Sequence, residues 1–433
     1  MTNTKIIHYT ISRFKKSRLV NDSFWALLAN LIGKGLPFIA GIFVARLLGS
    51  EAYGEFGLIK SSLMSIALFS SFGLGITATK FIAEIINKDK QSAKYVERIC
   101  NIITLISSLI LATAVFIFAH PIATILKAPH IVGILRLSSI AIVFNAINTT
   151  QNGVLAGLGA FKVMARNSTW SGLFSFVVTV SLTYFYNLEG AVIALCLYLL
   201  FNCVVNRKSI KRLLPIEKAS MTNYHKETLH KIVSFSFPIA LQESTFSIAS
   251  WLNAFILITY CSYSEYGIYT AAVQWFSVML FIPGALRNVA LSNLSASPDM
   301  QSKKTALNRL LLINFTSTFI PFLIVLMLAS YIASFYGNSF NGLAPILVIM
   351  AFTAVINSLS NVFTQELISI NQNWYLFYTR LLRDMITLFV VYLCLSQYDG
   401  GALSVAVASL VWQTVYLLLV GSRSYHLLKK KRQ

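Results

Sequence analysis

Long apolar stretches recur from end to end of this chain, and they limit its fold before any motif is considered. About 20 apolar residues cross the ~30 Å hydrocarbon core of a bilayer as a helix. Only helices and closed barrels satisfy their own backbone hydrogen bonds there. Twelve segments reach that length, near 22–48, 56–85, 98–119, 132–158, 167–187, 189–206, 232–260, 266–291, 307–330, 343–370, 374–395 and 401–424. Charged residues make up 12% of the chain and mean hydropathy is +0.69, against about 25% charged in soluble domains. The expectation is an all-α, polytopic membrane protein with twelve transmembrane helices.

The net charge of +20 suits nucleic acid only if the cations gather on one surface, and they do not. They sit at the termini and in alternate loops, among them Lys15, Lys16, Lys88, Lys90, Lys162, Arg166, Lys303, Lys304 and Lys429 to Lys431. The opposite loops offer Lys127, with Arg46 and Arg136 at their edges. This is positive-inside asymmetry. It predicts cytoplasmic termini and no nucleic-acid partner. The basic N-terminus leads into a first span too long for the 7–15-residue core of a cleavable signal, so none is expected. The five cysteines (Cys100, Cys196, Cys203, Cys261, Cys394) are scattered and form no C-x-x-C pair, which argues against disulfide and zinc frameworks.

The longest hydrophilic stretch, "RKSIKRLLPIEKASMTNYHKETLHK" (207–231), separates two sets of six spans. Expected boundaries are a basic N-terminus at 1–21, an N-terminal six-helix lobe at 22–206, the linker at 207–231, a C-terminal lobe at 232–424 and a basic tail at 425–433. A weak repeat relates the lobes. Tyr53-Gly54 matches Tyr266-Gly267 at an offset of 213, "PIATIL" matches "YIASFY" at 210, and "VFNAIN" matches "VINSLS" at 212. Six being even, both halves enter from one side, as in transporters built from parallel repeats with substrate between them. Aromatics near the outer loops (Tyr184, Tyr186, Tyr260, Tyr263, Tyr266, Tyr269, Tyr331, Tyr336) fit an interfacial belt or a stacking surface for sugar rings.

Charges within the spans are few, and each costs roughly 2.5–3.5 kcal/mol on insertion scales. In "NLIGKGLPFIAGIFVARLLGS", Lys34 lies roughly 18 Å along its helix, near mid-membrane. Gly33, Gly35 and Pro37 around it predict a bent or opened helix facing an aqueous cavity; the other reading is a pair with a carboxylate such as Glu243. Lys60 is a second deep cation. Glu243 and Asp384 lie roughly 15–17 Å deep by the same rise. Arg380 stands one turn before Asp384, where an i,i+4 pair can self-neutralise. Lys80, Glu84, Arg287 and Glu366 fall near the basic face, within snorkelling reach of water. The halves thus differ: an anionic headgroup is expected to be held mainly by the first, and a driving cation to be read by Glu243 and Asp384 in the second. There is no G-x-x-x-x-G-K-[ST], H-E-x-x-H or G-x-S-x-G, so ATP-binding, zinc-peptidase and serine-hydrolase chemistries lack their signatures. Neither a cofactor nor an enzymatic activity is expected.

"GLPFIAGIFVARLLGSEAYGEFGLIKS" (35–61), "EYGIYTAAVQW" (265–275) and "LAGLGAFKVMARN" (155–167) resemble the polysaccharide repeat-unit flippases, the Wzx type of the multidrug/oligosaccharidyl-lipid/polysaccharide exporter superfamily. The resemblance implies a MATE-like fold in the bacterial inner membrane and no enzymatic step. It implies a substrate, an undecaprenyl-diphosphate-linked oligosaccharide moved from the cytoplasmic to the periplasmic leaflet during O-antigen or capsule assembly. It also implies membrane lipid, the O-antigen polymerase and the chain-length regulator as partners. Peptidoglycan-precursor flippases are similar in carrying a basic residue at the place of Lys34 and ion-binding acids on helices 7 and 11, the helices of Glu243 and Asp384. Many members place a basic residue soon after the Tyr-Gly-x-Tyr of span 8, where this chain has Val273 and Gln274. Headgroup binding then falls to Lys34, Lys60, Arg287 and Arg380. The alternatives are a cation-coupled multidrug antiporter of the same fold, which would prefer an acidic cavity, and a membrane glycosyltransferase or polymerase, which would need a larger outer loop than this chain has.

Overall fold

The computed structural model describes residues 18–71, 73–86, 89–126, 128–214, 247–284, 286, 294, 300–370, 372–397 and 400–430. Helices dominate: α1 (Arg18–Ser71), α2 (Leu74–Ile85), α3 (Lys90–Ile117), the short α4 (Ala119–Ile125), α5 (Val132–Gly157), α6 (Phe161–Leu213), α7 (Ser247–Tyr260), α8 (Tyr263–Met279), α9 (Met300–Tyr336), α10 (Leu343–Ser369), α11 (Asn373–Gln397) and α12 (Gly401–Lys430). Seven helical stretches among the described residues are long and apolar enough to cross a membrane. The chain is a multi-pass membrane protein. The count of twelve spans remains a reading of the sequence, because residues 215–246 and most of 285–299 lie outside the described residues.

Two of the long helices are pairs of legs joined by a sharp turn. α1 turns at Gly49, whose φ of 76° lies in the left-handed region that only glycine enters without steric cost. α6 turns at Tyr186 and Asn187, the latter with φ of 47°; asparagine is among the few side chains that tolerate this region. Around Lys34 the backbone stays helical, with Pro37 inside the helix and Gly49 carrying the non-helical torsions. The glycines flanking Lys34 therefore serve packing and space, not an opened backbone. A Cβ on Gly33 would lie 2.8 Å from the Ser168 Cβ of α6, whereas one on Gly35 would meet nothing within 4 Å.

The chain divides into two compact units, Met1–Ala40 with Lys60–Ser244, and Gly41–Ile59 with Thr245–Gln433. In the first, α5 is central and packs against α2, α3 and α6. Its core joins Leu74, Ile82, Val96, Cys100, Val154 and Leu155. In the second, α10 is central and packs against α8, α9 and α12. These two helices carry the repeat segments "VFNAIN" and "VINSLS", so the duplicated element has the same structural role in both units. Residues 41–59, which the sequence places in the first lobe, make their contacts within the second unit.

Polar residues replace charge as the glue inside the first unit. Asn167 donates to Asn206 Oδ1 (2.9 Å) and to Ser209 Oγ (3.1 Å), and Asn206 donates in turn to Asn152 Oδ1 (3.2 Å). Thr104 and Thr150 hydroxyls meet at 2.8 Å between α3 and α5. Helices in lipid lack a hydrophobic drive to associate, and such bonds between small polar side chains take over part of that task.

Candidate functional site

Of the charges singled out in the sequence, the structure describes some and leaves others out. Glu243 and Arg287 lie outside the described residues, as does the side chain of Lys34. Lys60 stands exposed on the second leg of α1, and Arg380 is exposed on α11. Glu366 does not snorkel. It is fully buried on α10, with Lys303 Nζ 3.6 Å from its Oε1. Lys303 also donates to Ser369 Oγ at 2.9 Å.

Asp384 belongs to a polar network in the second unit whose hub is Arg383. Its hydrogen-bonding arginine among the described residues is Arg383, not Arg380 one turn away. Arg383 Nε donates to Asp384 Oδ1 at 2.8 Å, and Nη2 donates to the same oxygen at 2.5 Å. Nη1 reaches Gln413 Oε1 on α12 at 3.2 Å, and Gln413 Nε2 passes the chain on to Ser360 Oγ of α10 at 3.1 Å. The guanidinium lies 4.9 Å from the centre of the Tyr416 ring, a cation–π geometry. The Arg383 and Asp384 side chains are 16% and 12% exposed, so the pair is largely removed from solvent. Asp384 Oδ2 has no hydrogen-bond partner among the described residues. Oδ1 thus receives both arginine bonds, while Oδ2 is buried. Gln413, Ser360 and Tyr416 were missed in the sequence because none is charged. Their only sequence signal is polarity on faces that pack inward.

A second constellation forms where residues 41–59 meet α8 and the end of α9. Ser50 and Ser264 hydroxyls are 2.6 Å apart, and Ser50 N–H donates to Ser339 Oγ at 3.2 Å. Tyr53 donates to Gln274 Oε1 at 3.0 Å, and Trp275 Nε1 donates to Tyr336 OH at 2.8 Å. Tyr53, Tyr266 and Tyr336 are buried, with relative exposures of 4%, 6% and 0%. Neither expected role, interfacial belt or sugar platform, fits Tyr266 and Tyr336. Tyr184, Tyr186 and Tyr331, by contrast, are well exposed. Close approach of the backbones depends on Gly41, Gly54, Gly57 and Gly267, where an added Cβ would press on Gln274, Tyr263, Thr270 and Ser50. Small residues at such a crossing are what lets membrane helices touch closely.

Glu265 ties this corner to α12. Its own N–H donates to Ser262 Oγ at 3.2 Å, and its Oε2 accepts from Ala402 N–H at 2.7 Å. A carboxylate placed at a helix start satisfies a free N–H and favours the positive end of the helix dipole. Among the described residues no cluster of three metal-ligating side chains occurs.

Residues 19–285 match the family model described as polysaccharide biosynthesis protein. The chain belongs to this family. Two curated relatives are similar to this chain over part of their length. The membrane protein MJ1375 of Methanocaldococcus jannaschii is 24% identical over 274 residues, covering 58% of this chain and 61% of that one. The succinoglycan biosynthesis transport protein ExoT of Rhizobium meliloti is 26% identical over 178 residues, covering 41% of this chain and 31% of that one. The chain thus spans less than two thirds of the length of these curated relatives. Solved structures show the fold. An inward-facing multidrug resistance MATE family transporter of the MOP superfamily matches with a TM-score of 0.77 at 17% identity, covering 94% of this chain and 98% of that one. A MOP superfamily transporter from Pyrococcus furiosus, described by the reverse polarity of its binding pocket, matches with a TM-score of 0.67 at 16% identity, covering 95% and 96%. This member of the polysaccharide biosynthesis family has the MOP-superfamily fold.

Proposed function

We propose that the chain is a secondary transporter that passes an undecaprenyl-diphosphate-linked oligosaccharide, an O-antigen or capsule repeat unit, from the cytoplasmic to the periplasmic leaflet by alternating access. The observation that carries this reading is the family match over residues 19–285, which includes the deep cations Lys34 and Lys60. A diphosphate is the anion such ammonium groups would neutralise, and a charge within a membrane span is costly unless it is paired. The name of the Rhizobium relative, a transport protein of succinoglycan biosynthesis, points to the same substrate class. Lys34, Lys60, Arg287 and Arg380 are assigned to the headgroup, and Glu243 and Asp384 to the coupling ion. At Asp384 the coupling oxygen is Oδ2, since Arg383 occupies Oδ1. The protein would lie in the inner membrane with both termini in the cytoplasm and work alongside the polymerase and chain-length regulator.

The test is a deletion strain in which lipid-linked oligosaccharide accumulates on the cytoplasmic leaflet. Wild type and Lys34→Arg should clear it; Lys34→Ala and Lys34→Glu should not. Clearance by Lys34→Glu would remove the headgroup assignment. Export of organic cations, with no effect on the lipid-linked glycan, would replace the flippase with the multidrug antiporter.

A further inference from the structure

A groove of about 660 Å³ runs between α9, α10 and α12 in the second unit. Its lining is ordered by polarity. Asn308 on α9 and Ser422 on α12 lie at one end, and Leu312, Phe315 and Leu418 among others line the remainder. That polar end is also the basic end of α9 and α12. Lys304 stands one turn before Asn308 on the same face of α9, and Tyr425 one turn beyond Gly421 on α12; both are exposed. Arg309 and His426 are exposed close by. The described carboxylate of this end, Glu366, is fully buried beside Lys303. Gly421 leaves room in the groove: a Cβ there would meet the Phe363 ring at 3.6 Å, an ordinary contact, and a larger side chain would extend into the space. Its lips, Leu312 and Leu418, are 63% and 66% exposed, and exposed apolar residues continue along α9 at Ile320, Ile324 and Met327. In a multi-pass membrane protein such a surface meets lipid.

We propose that this groove binds an anionic phospholipid, one acyl chain lying against Leu312, Phe315 and Leu418 and the phosphate beside Lys304. Asn308, Ser422 and Tyr425 supply neutral hydrogen-bond donors around the same headgroup. Basic pockets at a membrane surface select anionic headgroups by about 1 kcal/mol for each cation, a factor of about five in affinity. A bilayer phospholipid is favoured over the tail of a transported lipid because the lips open along an apolar helix side, so a resident chain enters sideways without any movement of the protein. The site depends on membrane embedding alone and not on what is transported.

The experiment is lipid retention by the full-length protein in detergent, read by native mass spectrometry with phosphatidylglycerol, phosphatidylcholine of identical chains, and undecaprenyl phosphate. Wild type should retain phosphatidylglycerol about fivefold better than phosphatidylcholine. Lys304→Glu should abolish that preference, and Gly421→Leu should lower retention of both phospholipids. A thermal unfolding midpoint within a few degrees of wild type shows that each variant is folded. Leu418→Trp, on the exposed lip, replaces Gly421→Leu if the latter misfolds. Equal retention of the two phospholipids by wild type, or retention untouched by the variants, overturns the site. Displacement of phosphatidylglycerol by an equimolar amount of undecaprenyl phosphate overturns the occupant.

Discussion

Gly54 and Gly267 stand in reciprocal contact. A Cβ on Gly54 would fall 1.9 Å from the carbonyl oxygen of Tyr263, and a Cβ on Gly267 would fall 1.9 Å from that of Ser50. Both glycines, and likewise Ser50 and Tyr263, are 213 positions apart in the chain. The repeat detected in the sequence is thus a contact in the fold, in which each copy of the motif accepts the other by the same geometry.

Because the obstructing atoms are backbone, neither copy can yield easily. Gly54→Ala and Gly267→Ala should each lower stability by about 1–3 kcal/mol, the usual cost of overpacking. Gly133→Ala, where an added Cβ meets nothing within 4 Å, should leave it unchanged or raise it. Thermal unfolding of the purified variants decides the matter. Equal midpoints for all three would mean that the helices do not meet as described.

The serine pair beside those glycines can be made covalent. Ser50→Cys with Ser264→Cys, in a chain whose nearby Cys261 is replaced by Ala, should form a disulfide on mild oxidation, since the native hydroxyls are 2.6 Å apart. Protection from maleimide labelling would report the bond. If the proposed transport requires this corner to open, oxidation should halt clearance of the lipid-linked glycan and a reductant should restore it. Full activity in the fully cross-linked protein would show that the corner stays shut throughout the cycle.

At the Arg383–Asp384 pair, removing one partner should cost more than removing both. Arg383→Ala leaves a largely buried carboxylate without its donors, for which about 3–5 kcal/mol is typical. Arg383→Met with Asp384→Leu should recover most of that loss. Gln413→Leu breaks the bond to the guanidinium and the one to Ser360; it should cost about 1.5–3 kcal/mol for the charge-assisted bond and about 1 kcal/mol more for the neutral one. Unfolding midpoints in detergent give the ranking.

Glu265 offers a milder test. Losing the acceptor for Ala402 N–H in Glu265→Ala should cost about 1 kcal/mol, and Glu265→Gln should recover part of it because an amide oxygen still accepts. If both variants unfold at the wild-type temperature, the link between α8 and α12 contributes nothing to stability.

Much of this architecture was legible from hydropathy, since a helix buried in lipid must announce itself by length and apolarity. The repeat was legible as well, and its segments reappear in the central helices α5 and α10. What the sequence could not give was direction. The i,i+4 rule paired Arg380 with Asp384, because side chains one turn apart share a helix face. The Tyr416 ring and Gln413 on a neighbouring helix instead draw Arg383 inward, and its long side chain curls onto the adjacent carboxylate. The glycines beside Lys34 suggested an opened helix, but Gly33 is explained by Ser168 on α6, a contact no local pattern encodes. Tyr266 and Tyr336 were grouped with loop aromatics by position, whereas burial separates them from Tyr184 and Tyr331.

The segment 41–59 has a further consequence. Both of its junctions, Ala40 to Gly41 and Ile59 to Lys60, fall inside helical legs of α1, not in loops. Cutting the chain in the hydrophilic 207–231 stretch would therefore not release two self-sufficient modules. The first fragment would carry a helical hairpin whose glycine- and serine-lined face has its only described complement on the second. Severed halves made in one cell would have to reassemble through that hairpin, so it works as a built-in address by which each half identifies the other.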